Sequence, residues 1–318
     1  MQFTTPIPIQ KSNHQMDYDS KIVSLGSCFA VNIGEKFERY KFQNSINPFG
    51  ILFHPLALEK IISKAILKDE FSEEDIFFHN ERWHSFDVHS DLSASDEAQF
   101  LKTLNANLKR LHNDLAESSH VIITLGTSWV YRKVETYSVV ANCHKVPQNQ
   151  FKKELLSVED IKTGLDKIID KISSVNKKAK IIFTISPVRH IKDGFVENQW
   201  SKANLISALH QTLQSEHCNL NTSYFPSYEI MMDELRDYRF YAEDMIHPNQ
   251  TAIDYIWNRF SETWISEEAF SVLQEVENIQ KGLNHRPFNA ESEQHLAFLA
   301  KVQQRISVLE RQFPFMKF

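Results

Sequence analysis

The sequence is poor in cysteine and in long apolar runs, and each scarcity excludes a class of protein. Its three cysteines, Cys28, Cys143 and Cys218, are an odd number at wide spacing, which fits neither a disulfide framework nor a CxxC metal site. We therefore expect free thiols, no bound metal and no cofactor. No run of about 18 apolar residues occurs, and residues 1–10 lack the pattern of a signal peptide. A cytoplasmic protein without an integral membrane segment is expected.

Basic residues are fewer than acidic residues. The chain has 35 Lys and Arg against 41 Asp and Glu, a formal net charge of -6, so neither nucleic acid nor an anionic membrane surface is an expected partner. Phenylalanine, in contrast, is abundant, with 23 residues in a chain of 318 that is 42% hydrophobic. This composition predicts a globular protein with a large, Phe-rich core.

Apolar runs that alternate with helical periodicity predict the fold. Residues 21–25, 121–125 and 180–185 have the uninterrupted apolar character of buried strands. Helices are predicted at 29–42, 56–67, 100–115, 158–175, 200–213 and 251–264, with a further short strand at 222–225. Strands separated by helices pair in parallel through right-handed crossovers. The prediction is an α/β fold, a three-layer sandwich with a doubly wound, mostly parallel sheet.

Two additions to this sandwich are predicted. The aromatic and β-branched stretch 129–140 favours an inserted hairpin. Residues 1–264 are expected to form the main domain, and 265–318 a C-terminal helical extension made of two amphipathic stretches, 267–283 and 292–311. The extension packs either on the domain or on a second copy of the chain, so a homo-oligomer through these helices is left open.

Ser27 is the first candidate for chemistry, because reactive groups of open parallel sheets gather beyond the carboxyl ends of strands. It follows the first strand on a strand-to-helix turn, although a helix N-cap serine has the same position. Asp244 precedes His247 by three residues on a loop that enters a helix, so its carboxylate can orient the imidazole as a base. Hydroxyl, imidazole and carboxylate are the minimum for an activated serine nucleophile.

Cys28 is the alternative nucleophile, because a thiolate is the more reactive group and Cys28 also stands at a helix N-terminus. Since it follows Ser27 on the turn, its side chain is expected to point elsewhere, as a buried structural cysteine. The adjacent pair Cys143 and His144 lacks a second pair of ligands and therefore predicts no metal site.

The pentapeptide Gly26-Ser27-Cys28-Phe29-Ala30 is the motif that names the GSCFA family, and the chain resembles that family over nearly its full length. It resembles the SGNH/GDSL hydrolases more distantly. The stretches that carry the resemblance are 26–30, 47–50, 125–131, 140–145, 186–190 and 244–248. For this chain the SGNH resemblance implies catalytic Ser27, Asp244 and His247, with the amide of Gly50 as an oxyanion donor.

One departure from the SGNH pattern concerns the third oxyanion donor. An Asn is usual in the third block of SGNH proteins, but residues 126–129 read GTSW. Thr127 or Ser128 through its hydroxyl, or Asn142 from the hairpin, is the expected substitute. The expected substrate contacts, for which ordinary packing and surface pairing are the alternatives, are Trp129, Tyr131, His144, Arg189 and His190.

The triad and the resemblance together predict a serine hydrolase of ester bonds that forms an acyl-enzyme on Ser27. O-acyl groups of carbohydrates or lipid esters are the expected substrates, by analogy with the architecture. Two alternatives stay open: an O-acyltransferase that uses the same triad, and a catalytically weak ligand-binding or scaffold protein. Water access and acceptor contacts distinguish the hydrolase from the acyltransferase.

Overall fold

The structure is a computed structural model that describes residues 4–215 and 221–318. The predicted free thiol of Cys218 lies outside the described residues. The strands are β1 (Lys21–Gly26), β2 (Gln43–Ile46), β3 (Phe77–His79), β4 (Arg82–His84), β5 (His120–Leu125), β6 (Trp129–Lys133), β7 (Val139–Val140), β8 (Phe151–Leu155), β9 (Lys180–Ile185) and β10 (Thr222–Phe225). The helices are α1 (Cys28–Arg39), α2 (Pro55–Leu67), α3 (Glu97–Glu117), α4 (Val158–Val175), α5 (Phe195–Leu213), α6 (Ser227–Glu229), α7 (Gln250–Trp264), α8 (Glu267–Leu283) and α9 (Glu293–Gln312).

A five-stranded parallel sheet with the order β10-β9-β5-β1-β2 lies at the centre of the protein. The predicted strands β1, β5 and β9 are adjacent in it, and all six residues of β5 are buried. Helices cover both faces, which confirms a mixed α/β architecture of the three-layer kind. From β1 the chain first forms β2 on one side of β1, and it then forms β5, β9 and β10 on the other side. The direction of winding therefore reverses between β1 and β5. Ligands of such sheets bind beyond the carboxyl ends of the strands at this switch point.

Alternate residues of each central strand contribute to two cores on opposite faces of the sheet. Val23, Val121 and Ile181 belong to the core that contains α2, α3, α4 and α5. Their neighbours Ile22, Ile122 and Ile182 belong to the second core, with α1 and α7. This alternation follows from the period of two along a strand.

The C-terminal helices pack on the main domain within the same chain. Buried residues of α8 and α9, among them Val276 and Ile306, share the second core with Phe37 of α1. An ion pair between Arg39 and Glu277, 3.1 Å long, joins α1 to α8 at the surface. Packing on the domain is therefore present, whereas association of two chains and the domain boundary at 264/265 stay predictions.

The segment predicted as a hairpin belongs to a three-stranded antiparallel sheet with the order β7-β6-β8. Tyr131 in β6 pairs with Val140 in β7, and Trp129 pairs with Leu155 in β8. Across residues 4–215 and 221–318, no helix has both the length and the apolar character needed to cross a lipid bilayer.

Candidate functional site

A cavity of about 460 Å³ lies beyond the carboxyl ends of β1, β5 and β9. We call it the site cavity; it is lined by residues 28, 53–54, 127, 129–131, 140–141, 188–193 and 246–247. Many of these side chains are apolar, among them Phe53, Val130, Val188 and Ile246. The cavity stands at the position where an open parallel sheet binds its ligands, and its walls suit an apolar group.

His247 and Asp244 form a local pair at this cavity. Asp244 Oδ2 accepts a 2.6 Å hydrogen bond from His247 Nδ1, and Asp244 Oδ1 accepts from the backbone amides of His247 and Ile246. These bonds, first that from the His247 amide, lower the pKa of Asp244 to about 2. The carboxylate therefore stays ionised, holds the imidazole proton on Nδ1 and leaves Nε2 available as a base.

The turn between β1 and α1 buries Ser27 and exposes Cys28 to the site cavity. Ser27 is 0% exposed and does not line the cavity, and its side chain makes no N-cap hydrogen bond. Cys28, the first residue of α1, lines the cavity and is partly exposed. The expectation that Cys28 points away as a buried cysteine is therefore wrong. The catalytic role of Ser27 stays a prediction.

Gly26 makes this turn possible. Its φ of +130° lies in a region that side chains rarely adopt, and a Cβ there would stand 2.1 Å from the carbonyl oxygen of Thr124. The close approach of β1 to β5 therefore requires glycine at the point where the chain enters the site.

Lys202 is a buried lysine at the ends of β5 and β9 that the sequence did not reveal as such. Its Nζ donates 2.7 Å hydrogen bonds to the carbonyl oxygens of Gly126 and Ser186, which follow β5 and β9. Burial lowers its pKa to about 7. The available signal was the helical spacing of Asn198, Ser201 and Lys202, whose side chains are all buried.

Gly50, Ser128 and Asn142, the predicted oxyanion donors, do not line the site cavity. The Gly50 amide already donates to the Asn47 carbonyl at 2.8 Å, and the Asn142 side chain accepts from the His144 amide. Ser128 is 0% exposed and its hydroxyl donates to the Ser201 carbonyl. Thr127, the remaining candidate, does line the cavity. The amides of Cys28 and Phe29 at the N-terminus of α1 are a second source of donors there.

The buried Ser201 hydroxyl gives a stability test of this arrangement. Ser201 Oγ accepts a 2.8 Å hydrogen bond from the Ser128 amide. Ser201→Ala leaves that buried amide without a partner and is expected to lower the free energy of unfolding by about 1–3 kcal/mol. Urea unfolding measures this loss. The matched control is Ser307→Ala on the exposed side of α9, and equal stability of the two variants would contradict the expectation.

Four of the five predicted substrate contacts, Trp129, Tyr131, Arg189 and His190, line the site cavity. The fifth, His144, does not, because its ring is buried and its Nε2 donates to the Ser85 carbonyl at 2.6 Å. A contact of His144 with substrate is therefore not supported.

Arg189 and His190 have different environments within the cavity wall. The Arg189 guanidinium lies 4.6 Å from the ring centroid of Tyr241 and donates to the Met245 carbonyl, which ties it to the His247 loop. The buried His190 Nε2 has no hydrogen-bond partner within the described ranges. Burial, followed by the charges of Lys202 and His247, lowers the pKa of His190 to about 3, so its ring is neutral.

His54 is a site residue that sequence reasoning missed. Its Nδ1 accepts from the Ala57 amide as the N-cap of α2, and its Nε2 donates to the Val140 carbonyl, both at 3.1 Å. Burial lowers its pKa to about 4. Its position directly before Pro55, a favoured first helical residue, was the signal in the sequence.

An open parallel sheet with a histidine–carboxylate pair beside a switch-point cavity defines an α/β protein with a cavity beyond its strand ends. The sequence profile of the GSCFA family matches residues 21–260, and that of the GSCFA domain protein, C-terminal domain, matches residues 276–318. The chain therefore belongs to the GSCFA family, which confirms that part of the resemblance. Comparison with curated proteins finds no match.

Proposed function

We propose that the protein is a hydrolase of ester bonds that forms a covalent acyl-enzyme in the site cavity. The observation that carries this proposal is the His247–Asp244 pair, in which Nδ1 is bonded to a carboxylate and Nε2 has no hydrogen-bond partner among the described residues. Such a pair activates a hydroxyl or thiol nucleophile. The distant resemblance to SGNH hydrolases supports the same chemistry, with a nucleophile on the turn that carries Ser27 and Cys28.

The proposed reaction has two steps. The nucleophile gives its proton to His247 Nε2 and attacks the ester carbonyl carbon, and the C–O bond breaks as the leaving alcohol takes that proton. Water then attacks the acyl-enzyme with His247 again as base, which releases the acid and restores the nucleophile. The amides of Cys28 and Phe29 and the hydroxyl of Thr127 are the candidate donors to the oxyanion.

The walls of the cavity favour an acyl group of apolar character, such as that of an O-acylated sugar or a lipid ester. Trp129, Val130 and Ile246 line it, and apolar surface stabilises a bound acyl chain by about 25 cal/mol per Å². The side chains of His247 and Asp244 are 47% and 45% exposed. Water therefore reaches the base, which favours hydrolysis over transfer to a sugar hydroxyl.

Turnover of p-nitrophenyl acetate tests the proposal. We expect a burst of one p-nitrophenolate per chain, followed by steady hydrolysis, and an acetyl adduct in the intact mass of acid-quenched protein. A parallel reaction with a sugar acceptor distinguishes acetic acid from acetylated sugar and so tests the acyltransferase alternative. Absence of both adduct and turnover, with ligand binding retained, would overturn the proposal in favour of a binding protein.

A further inference from the structure

The turn after β1 carries two adjacent nucleophilic residues, and the structure places them in different environments. The Ser27 hydroxyl is 0% exposed, and its Oγ has no hydrogen-bond partner in the described part of the chain. Cys28 lines the site cavity together with His247. A nucleophile must contact a carbonyl carbon bound in the cavity, and this requirement favours the thiol over the hydroxyl.

Thr127 also lines the cavity, but its hydroxyl is already engaged. Its Oγ1 lies 3.0 Å from Ser201 Oγ and accepts a hydrogen bond from the Trp129 amide. Freeing it for attack would cost both contacts. The Cys28 side chain, by contrast, is a free thiol that forms no disulfide within the described residues.

The surroundings of Cys28 favour a thiolate during reaction but not at rest. Burial raises the pKa of the Cys28 thiol, whereas the charge of Lys202 and the amides of Phe29 and Cys28 act in the opposite direction. The resting group is therefore a thiol that needs a base. His247 Nε2, which makes no hydrogen bond within residues 4–215 and 221–318, provides that base at the same cavity.

We propose that Cys28, and not Ser27, is the nucleophile that carries the acyl group. This inference rests on the proposed ester hydrolysis. The Cys28 Sγ–H proton passes to His247 Nε2 as Sγ bonds to the carbonyl carbon. The C–O bond breaks, the alcohol leaves with the proton, and the acyl group remains as a thioester. Water cleaves the thioester, its proton passes through His247 to Sγ, and the carboxylic acid is released.

The chemistry of the trapped acetyl adduct tests this inference. Neutral hydroxylamine cleaves a thioester but leaves an oxyester intact, so it should remove the adduct from acid-quenched wild-type protein. Cys28→Ala should form no adduct and lose roughly 10³-fold in rate, whereas Ser27→Ala should retain a hydroxylamine-sensitive adduct. Because Ser27 is buried, the thermal midpoint of Ser27→Ala is measured alongside.

Alkylation by iodoacetamide adds a readout that does not depend on turnover. Cys28 should react faster than Cys143, whose pKa burial raises to about 11, and His247→Ala should slow alkylation of Cys28 only. An adduct that resists neutral hydroxylamine and disappears in Ser27→Ala would overturn the Cys28 inference and leave the proposed function standing. No adduct and no turnover in wild type would overturn the proposed function itself.

Discussion

Asp244→Asn is expected to lower kcat/KM for aryl ester hydrolysis by about 10⁴-fold, close to the loss caused by His247→Ala. The Asn oxygen can still accept from the amides of Ile246 and His247, as Asp244 Oδ1 does now. Its NH₂ group then faces His247 Nδ1 and donates to it, so the imidazole proton moves to Nε2. The base is lost while the loop keeps its shape.

The controls for this prediction use the same loop and the same chemistry. Asp237→Asn neutralises an exposed carboxylate that pairs with Arg239 and should leave the rate within about twofold. The double variant Asp244→Asn, His247→Ala should be no slower than His247→Ala alone, because the two residues act as a unit. Since the pKa of Asp244 is about 2, its carboxylate is ionised in wild type at about pH 7 to 8, and the loss is measured there. Activity of Asp244→Asn within tenfold of wild type would contradict the proposed base.

Uninterrupted apolar runs made the centre of the fold predictable. β1, β5 and β9 are buried on both faces, and a strand of that kind has the same apolar signal whatever its neighbours. The edge strand β2, with the sequence QNSI, was missed because it lacks that signal. β8 was missed for a related reason, since its central residues are exposed and charged.

The contact between Asp244 and His247 was predictable because it is local in sequence, whereas the other contacts of the site are not. Asp244 and His247 are three residues apart in the sequence, and this spacing alone predicts that their side chains can meet. Lys202 bonds to Gly126, 76 residues away, and only the assembled sheet brings them together. The oxyanion donors depend on which backbone amides remain unpaired, and the bond of the Gly50 amide to Asn47 has no sequence signature.

Two buried histidines are expected to make the protein unstable in acid. Burial lowers the pKa values of His54 and His144 to about 4, and both rings are at most 5% exposed. In the unfolded chain each titrates near its ordinary value of about 6.5. The unfolded state therefore binds more protons between about pH 6.5 and 4, and stability falls as pH falls through that window. The loss from pH 7 to 5 is about 2 kcal/mol for each ring, or about 4 kcal/mol together.

His54→Asn separates this effect from general acid sensitivity. An Asn side chain can still cap α2 by accepting from the Ala57 amide, but it does not titrate. Its stability at pH 7 should fall through loss of the bond to Val140, whereas its further loss between pH 7 and 5 should be about 2 kcal/mol smaller than that of wild type. Urea unfolding followed by tryptophan fluorescence at both pH values measures the difference, with His285→Asn at an exposed position as the control. If His54→Asn and His285→Asn lose the same stability on acidification, protonation of the His54 ring does not cause the acid sensitivity.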